Sequence, residues 1–261
     1  MAQDEQGKLP QQVAAPELEW LDDGVPRAPR FGDTYFSRAG GLAETAHVFH
    51  AGNGLPSRWQ CRDRFVIGEL GFGTGLNLLA TLALLRDERA PPHLTYITVE
   101  AFPLSIAQLE RAHAAFPELG LLAGSLRQQL AAARIGEGAA AGWHRMEMPG
   151  VTLWLGLGDA NRLVPKLVNE QAPIALRSCL PVDAWFLDGF APSRNPELWQ
   201  PGLMQAVYAA TAKDGSFATY TSAGWVRRAL AQAGFTVEKR KGFAGKRQMS
   251  VGWRGEVTPG R

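Results

Sequence analysis

Phe65-Val66-Ile67-Gly68-Glu69-Leu70 runs directly into Gly71-Phe72-Gly73-Thr74-Gly75 and then into Leu76-Asn77-Leu78-Leu79-Ala80, and few folds accommodate that succession. A short apolar run without alternation is the pattern of a strand buried on both faces. Glycines at alternate positions let the backbone turn sharply and lie against a ligand where a side chain would collide. The apolar stretch over 76–85 then predicts a helix covered all round, ended by the polar and proline-containing segment 86–92. Such a strand, loop and helix unit belongs to an α/β sheet of parallel strands, and its loop lies at the carboxyl end of the strand, where these sheets bind ligands. The G-x-G-x-G spacing differs from the dinucleotide pattern G-x-G-x-x-G, and no lysine follows as a P-loop requires. The loop therefore predicts a nucleotide-like ligand, against the alternative of a turn that merely lets strand and helix pack closely.

The remaining punctuation extends the same pattern. Residues 94–100 form a second strand rich in β-branched residues; Pro103 stands where a helix would begin, with helical apolar spacing over 104–115. Residues 120–142, rich in Ala, Gln and Gly, are compatible with helix or with a loose connection. Residues 143–148, the turn pair Pro149-Gly150 and residues 151–157 read together as a hairpin that leads to Gly158-Asp159. Ala184-Trp185-Phe186-Leu187 is a further buried strand ending at Asp188. Beyond it we expect helix over 201–212, strand over 216–221, helix over 225–233 and a last strand over 249–253. Ahead of the sheet, Gly24, Pro26, Pro29 and Gly32 divide 18–37 into short pieces, suggesting a hairpin or irregular cap, and 1–16 lack any apolar periodicity and read as a frayed leader.

Acidic residues fall at the predicted strand ends. Glu100 ends the second strand, where a carboxylate can accept hydrogen bonds from the ribose hydroxyls of an adenosine; a merely solvated strand-end Glu is the alternative. Asp159 can accept from an adenine amino group or cap the following helix. Asp188-Gly189-Phe190-Ala191-Pro192 sets a carboxylate and an aromatic ring just past the fourth strand. That layout resembles the Asp-Pro-Pro-Tyr loop of amino-group methyltransferases, in which a polar side chain orients the attacking nitrogen and the ring packs against the target base. Methylating an amine needs a neutral nitrogen aligned with the methyl carbon, so positioning and proton removal are the main tasks. Asp188 can serve both. As an N-cap beside a core phenylalanine, it would serve neither.

A net charge of +2 over 261 residues leaves nucleic-acid binding to the local distribution of charge. From Trp225 to Arg254 there are eight basic residues, Arg227, Arg228, Lys239, Arg240, Lys241, Lys246, Arg247 and Arg254, against the single acid Glu238. Gly242, Phe243 and Gly245 lie among them, which predicts either a flexible basic loop able to meet phosphates and stack on a base, or a solvated face. Cys61 and Cys179 lack metal or redox spacing, and His47 and His50 stand without further ligands, so no metal is expected. Neither a signal peptide nor eighteen uninterrupted apolar residues occur, so the expectation is a cytoplasmic protein with no membrane partner.

Several separated segments together resemble the methyltransferase part of the bacterial MnmC family, whose bifunctional members complete 5-methylaminomethyl-2-thiouridine at the tRNA wobble position. They are Asp33-Thr34-Tyr35-Phe36-Ser37, Gly41-Leu42-Ala43-Glu44-Thr45, the loop from Glu69 to Asn77, the run from Asp183 to Pro192, Thr221-Ser222-Ala223-Gly224 and Lys239-Arg240-Lys241-Gly242-Phe243. The resemblance implies a class I S-adenosylmethionine-dependent methyltransferase: a Rossmann-like sheet of seven strands, the last antiparallel, over 61–255. A small N-terminal extension over 18–60, a disordered leader over 1–17 and a tail over 256–261 would complete the chain. S-adenosylmethionine would meet Tyr35, Glu69, Gly71, Gly73, Thr74, Gly75, Asn77, Glu100, Phe102, Asp159 and Asp188. Phe190 would pack on the uridine, while Arg227, Arg228, Lys239, Arg240, Lys241, Lys246 and Arg247 would hold the anticodon stem-loop of tRNA. The acceptor implied is 5-aminomethyl-2-thiouridine, with a flavin-dependent oxidase as partner, either a separate protein or a further C-terminal domain. A methyltransferase for a small amine and a non-catalytic tRNA-binding module are the competing readings.

Overall fold

The structure is a computed structural model that describes residues 12–245 and 247–255. In chain order the strands are β1 (Gln12–Ala14), β2 (Glu19–Trp20), β3 (Pro26–Ala28), β4 (Asp33–Thr34), β5 (Arg64–Leu70), β6 (His93–Glu100), β7 (Glu137–Ala140), β8 (Gly142–Met148), β9 (Val151–Leu157), β10 (Val182–Leu187), β11 (Thr211–Thr219), β12 (Thr236–Lys241) and β13 (Gln248–Trp253). The helices are α1 (Gly41–Thr45), α2 (Leu76–Arg86), α3 (Ile106–His113), α4 (Gly120–Ala132), α5 (Ala160–Val168), α6 (Ile174–Arg177), α7 (Pro201–Ala210) and α8 (Gly224–Ala233).

The main sheet has eight strands in the order β12-β13-β11-β10-β5-β6-β9-β8. Strands β11, β10, β5, β6 and β9 are mutually parallel, and β13 inserts antiparallel between β11 and β12. This is the expected seven-stranded arrangement with its last strand antiparallel. The eighth strand, β8, pairs antiparallel with β9 through the hairpin at Pro149-Gly150 and extends one edge. Side chains alternate across the sheet as the pleat requires. Phe65, Ile67, Tyr96 and Phe186 share one buried cluster with residues of α2, α3 and α4, whereas Val66, Leu70, Ile97, Trp185 and Phe217 share the other with α5, α7 and α8.

Four local expectations change. Residues 12–16 are not all frayed: β1 pairs with β7, and Gln108 Nε2 donates to the Pro16 carbonyl at 2.8 Å; residues 1–11 of the expected leader and the tail 256–261 lie outside the described residues. Helix α3 starts at Ile106 rather than at Pro103, because Ser105 and Gln108 form a reciprocal capping box. The segment 120–142 is ordered as α4 and β7. Finally, Lys239, Arg240 and Lys241 belong to the edge strand β12 and not to a loop, and the Phe243 ring is partly buried against the core. Charged side chains on an exposed edge strand guard it against pairing with another chain, which is why this strand carries no apolar alternation for sequence to reveal.

Residues 18–60 divide in two. Strands β2, β3 and β4 form a small antiparallel sheet, whereas Val48, Phe49, Leu55 and Trp59 are buried in the main core, with Phe49 stacked on Phe186 at 5.2 Å between ring centroids. Packing around β5 is equally tight. A Cβ added at Gly68 would sit 2.6 Å from the ring of Trp185 on β10, a side chain only 1% exposed. Gly68→Ala is therefore expected to cost about 1–3 kcal/mol of stability through overpacking, seen as a lower midpoint in urea unfolding. An unchanged midpoint would mean that Trp185 moves aside freely.

Candidate active site

Strand order reverses between β5 and β10: the chain leaves β5 toward β6 on one side and later returns to β10 on the other. The carboxyl ends that part there open a crevice, filled in this protein by a cavity of about 570 Å³. Tyr35, Gly71, Gly73, Thr74, Asn77, Glu100, Phe102, Asp159, Asp188 and Phe190 all line it. Of the other residues expected at the cofactor, Glu69 lies beneath the cavity floor and reaches it through Asn77. Gly75 is the N-cap of α2, behind the loop.

Gly71 and Gly73 have φ of +82° and +54°, in the left-handed region that side chains disfavour. A Cβ at Gly71 would meet Gly189 Cα at 3.2 Å and one at Gly73 would meet the ring of Tyr35 at 3.2 Å, so the loop passes between the Asp188 turn and Tyr35 with no room for side chains. The loop's backbone is tied at both sides. Gly73 N donates to Glu100 Oε2 at 2.7 Å. The carbonyl of Thr74 accepts from His113 Nε2 at 2.8 Å; Arg127, 3.1 Å from Nδ1, leaves that nitrogen as acceptor and fixes the tautomer. Burial holds the His113 imidazole below its ordinary pKa, which keeps it neutral in this role.

Glu100 accepts from Gly73 N and from Phe102 N, the latter at 2.8 Å. Its pKa is raised, because burial outweighs the backbone donors. Each carboxylate oxygen retains a second lone pair, so the group can still accept from two hydroxyls, and such donors would relieve the cost of its burial. Asp159 caps α5 by accepting from Asn161 N at 2.9 Å through Oδ1; Oδ2 takes no part in the cap.

Glu69 is 1% exposed. It accepts from Asn77 Nδ2 at 3.0 Å and from Thr98 Oγ1 at 2.8 Å, yet burial pushes its pKa up to about 8, so it holds its proton at neutral pH. That removes a like charge from beside Asp188, whose Oδ2 accepts from the same Asn77 nitrogen at 2.7 Å. Asp188 follows β10 directly, so the sheet fixes its backbone while Asn77 fixes its carboxylate.

The small N-terminal sheet closes the cavity from above. Phe31 stacks on Phe190 at 4.5 Å with 24° between planes, and Tyr35 meets Phe190 edge-on at 5.2 Å. Asp33 Oδ2 accepts from Ala191 N at 3.0 Å, clamping the Asp188 turn. Opposite, Tyr220 donates to the Gly189 carbonyl at 2.8 Å, and its phenol is held well above its ordinary pKa by burial, then by Asp188, Asp33 and Glu44. Phe31, Asp33, Glu44, Thr45, His113 and Tyr220 were missed as site residues. Only Asp33, Glu44 and Thr45 left a trace, inside segments that carry the family resemblance. The others are brought in by tertiary packing alone.

The donor set suits a cationic nucleoside. Asp33, Glu44, Glu100, Asp159, Asp188 and Glu197 line the cavity against Arg30 and Arg38, which favours a sulfonium and an ammonium over a phosphate. Glycines with space only for backbone, a carboxylate able to bind two hydroxyls and an aromatic flank of Phe31 and Phe102 complete the fit.

The basic residues do not line the cavity. Strand β12 runs antiparallel to β13 and so in the direction of β11, with Lys239 level with Ser250 and thus with Thr219 at the carboxyl end of β11. Lys239, Arg240 and Lys241 accordingly stand at the cavity end of the sheet, as do Arg227 and Arg228 in the opening turns of α8. Arg240 is partly committed, to Glu238 at 3.3 Å and over the Trp253 ring at 5.2 Å, and Arg227 Nε donates to the Ser222 carbonyl. Arg247 is exposed, and Lys246 lies outside the described residues.

A doubly wound sheet with a glycine loop at its switch point, a buried carboxylate at the end of the second strand and an Asp-led turn beyond the fourth defines an enzyme of the class I methyltransferase type. The chain belongs to the S-adenosyl-L-methionine-dependent methyltransferase family, whose model matches residues 123–255. It is 43% identical over 240 residues to the tRNA 5-methylaminomethyl-2-thiouridine biosynthesis bifunctional protein MnmC of Caulobacter sp. (strain K31), covering 90% of this chain and 37% of that protein. It is likewise 43% identical over 246 residues to the protein of the same name from Vibrio campbellii (strain ATCC BAA-1116), covering 90% and 35%. The chain thus spans little over a third of these curated relatives. Among solved structures, MNMC2 from Aquifex aeolicus superposes with a TM-score of 0.69 at 22% identity, covering 95% of this chain and 73% of that one, which bears out the fold. The resemblance to the MnmC family read from the sequence is borne out by these relatives. Among the described residues no helix is long and apolar enough to cross a membrane.

Proposed function

We propose that this chain methylates the primary amine of 5-aminomethyl-2-thiouridine at the wobble position of tRNA, giving 5-methylaminomethyl-2-thiouridine. The observation that carries the reading is the Asp188 carboxylate, held at the mouth of the cofactor crevice by Asn77 and flanked by the Phe190 ring. The names of the curated relatives support the same acceptor.

Bound S-adenosylmethionine supplies an electrophilic methyl group on a positive sulfur. Gly71 and Gly73 would admit it against backbone, Glu100 would accept its ribose hydroxyls, the remaining oxygen of Asp159 would accept from its adenine, and Phe102 and Tyr35 would flank it. An aminomethyl group reaches the site as an ammonium. Asp188 would take one of its protons, freeing the nitrogen lone pair for the methyl group that the cofactor would supply. The product is a secondary ammonium beside an anionic cavity wall. Phe190, backed on one side by Phe31, offers its remaining surface and edge to the uracil ring.

Phosphates of the anticodon stem-loop would meet Arg227, Arg228, Lys239, Lys241 and Arg247, with Arg240 contributing less because Glu238 already pairs with it. Replacing Lys239, Arg240 and Lys241 by Ala is expected to weaken tRNA binding and to lower the slope of log affinity against log salt by roughly two. Filter binding across a salt series reads this, and an unchanged slope would remove the strand from the interface. The work of freeing the amine from a larger substituent falls to a flavin-dependent oxidase, as a separate protein or a further part of the chain, in the cytoplasm where tRNA is modified.

The deciding experiment is transfer of labelled methyl from S-adenosylmethionine to tRNA from cells lacking this modification. Label in the wobble nucleoside is expected. Label in small amines with none in tRNA would replace this reading with that of a small-amine methyltransferase.

A further inference from the structure

We infer that Thr45 is a positioning residue for the reaction: through Asn77 it holds the Asp188 carboxylate in register with the acceptor nitrogen. The inference rests on the reading of Asp188 as proton acceptor and adds what keeps that carboxylate in place.

Thr45 ends α1 and is 3% exposed. Its Oγ1 donates to Asn77 Oδ1 at 2.7 Å, while Asn77 Nδ2 donates to Asp188 Oδ2 at 2.7 Å and to Glu69 Oε1 at 3.0 Å. A side-chain amide offers two donors on one end and only acceptors on the other. Both hydrogens of Asn77 are spent on carboxyl oxygens, so the amide works in one orientation. Flipped, it would set its oxygen against Asp188. The Asp188 carboxylate, which can only accept, favours that orientation from one side, and the Thr45 hydroxyl that meets the amide oxygen holds it from the other. The backbone of Asn77 is anchored separately, its carbonyl accepting from Thr81 Oγ1 at 2.7 Å, and Thr81 in turn lies 3.0 Å from His50 Nε2. Thr45 therefore acts on the direction of the amide and not on the placement of its helix.

A hydrogen bond donated to a carboxylate lowers its pKa, so its loss makes the group harder to ionise. Asp188 acts electrostatically on Glu69 from β5, Tyr96 from β6 and Tyr220 beyond β11, and Asp33 of β4 and Glu44 of α1 line the same cavity. Arg30 and Arg38 line that cavity as well, and Asn77 Nδ2 is a donor in direct contact with the Asp188 carboxylate, at 2.7 Å. Weakening that contact should move the acid limb of the kcat profile to higher pH.

The test compares Thr45→Val, which keeps shape and removes the donor, with Thr45→Ser, which keeps the donor, using labelled S-adenosylmethionine and unmodified tRNA. Thr45→Val is expected to lower kcat about tenfold, shift the acid limb upward and leave the Kd for S-adenosylmethionine unchanged, whereas Thr45→Ser stays within about twofold of the parent. Should Thr45→Val not fold, by its thermal midpoint, Thr45→Ala takes its place with the same expectations. Equal behaviour of the Val and Ser variants, loss of kcat without a shift of the limb, or loss of cofactor affinity in step with kcat would each overturn the inference. Asp188→Asn run beside them separates the two claims. If it keeps full turnover, the reading of Asp188 fails; if it is inactive while Thr45→Val behaves as the parent, only the role of Thr45 fails.

Discussion

Asp188→Asn is expected to lower kcat by about 10²–10⁴-fold, the usual scale for losing a positioned acid–base group, while cofactor affinity changes little. The substitution is nearly isosteric, and the backbone of residue 188 is set by its place after β10 and by the clamps from Asp33 and Tyr220 on the same turn. What is lost is the ability to take a proton from an ammonium and the charge that attracts one. An amide there also faces the Asn77 donor with either of its own ends, so the hydrogen bond to Asp188 Oδ2 survives only in one of two orientations. Single-turnover methyl transfer measured beside calorimetric titration of S-adenosylmethionine separates chemistry from binding. An undiminished single-turnover rate would move proton removal from Asp188 to solvent or to the substrate itself.

Glu100→Ala should act on the other half of the reaction. Two ligand hydrogen bonds to a carboxylate would vanish, and the donors of Gly73 and Phe102 would lose their acceptor. Hydrogen bonds to charged groups contribute about 1.5–3 kcal/mol each, so a rise of at least about 100-fold in the Kd for S-adenosylmethionine is the expected result. At saturating cofactor the methyl-transfer rate should stay close to that of the parent, because Glu100 is distant in the chain and in the sheet from the Asp188 turn, two strands away. Glu100→Gln, which keeps an acceptor oxygen, should lose less. Equal cofactor affinity in parent and Glu100→Ala would mean that the ribose is held elsewhere, with Asp159 the next carboxylate along the cavity wall.

The fold was readable wherever the chain is buried on both sides. Strands β5, β6, β9 and β10 and helix α2 are built mostly from buried apolar residues, and the loop between β5 and α2 needs glycine for a backbone reason that leaves its mark in sequence. Strand β12 was unreadable for the opposite reason. Its solvated, charged side chains are chosen to discourage pairing, and only its register against β13 makes it a strand. The start of α3 lay between these cases: Ser105 and Gln108 carry the capping signal, but Pro103 two residues before the cap suggests an earlier boundary.

By itself, then, the sequence determined the strand, loop and helix unit, the carboxylates at Glu100, Asp159 and Asp188 and the likeness to a methyltransferase family, because these depend on residue type along a short stretch of chain. Tertiary structure decided how those carboxylates differ. Burial lets Glu69 hold its proton while the amide it shares supports Asp188, a backbone cap occupies one oxygen of Asp159, and Glu100 ties down the glycine loop it faces. It also brought Phe31, Thr45 and Tyr220 to the site from segments far apart in the chain. Desolvation and hydrogen bonding depend on what packs against a group from every side, and only the folded chain supplies those neighbours.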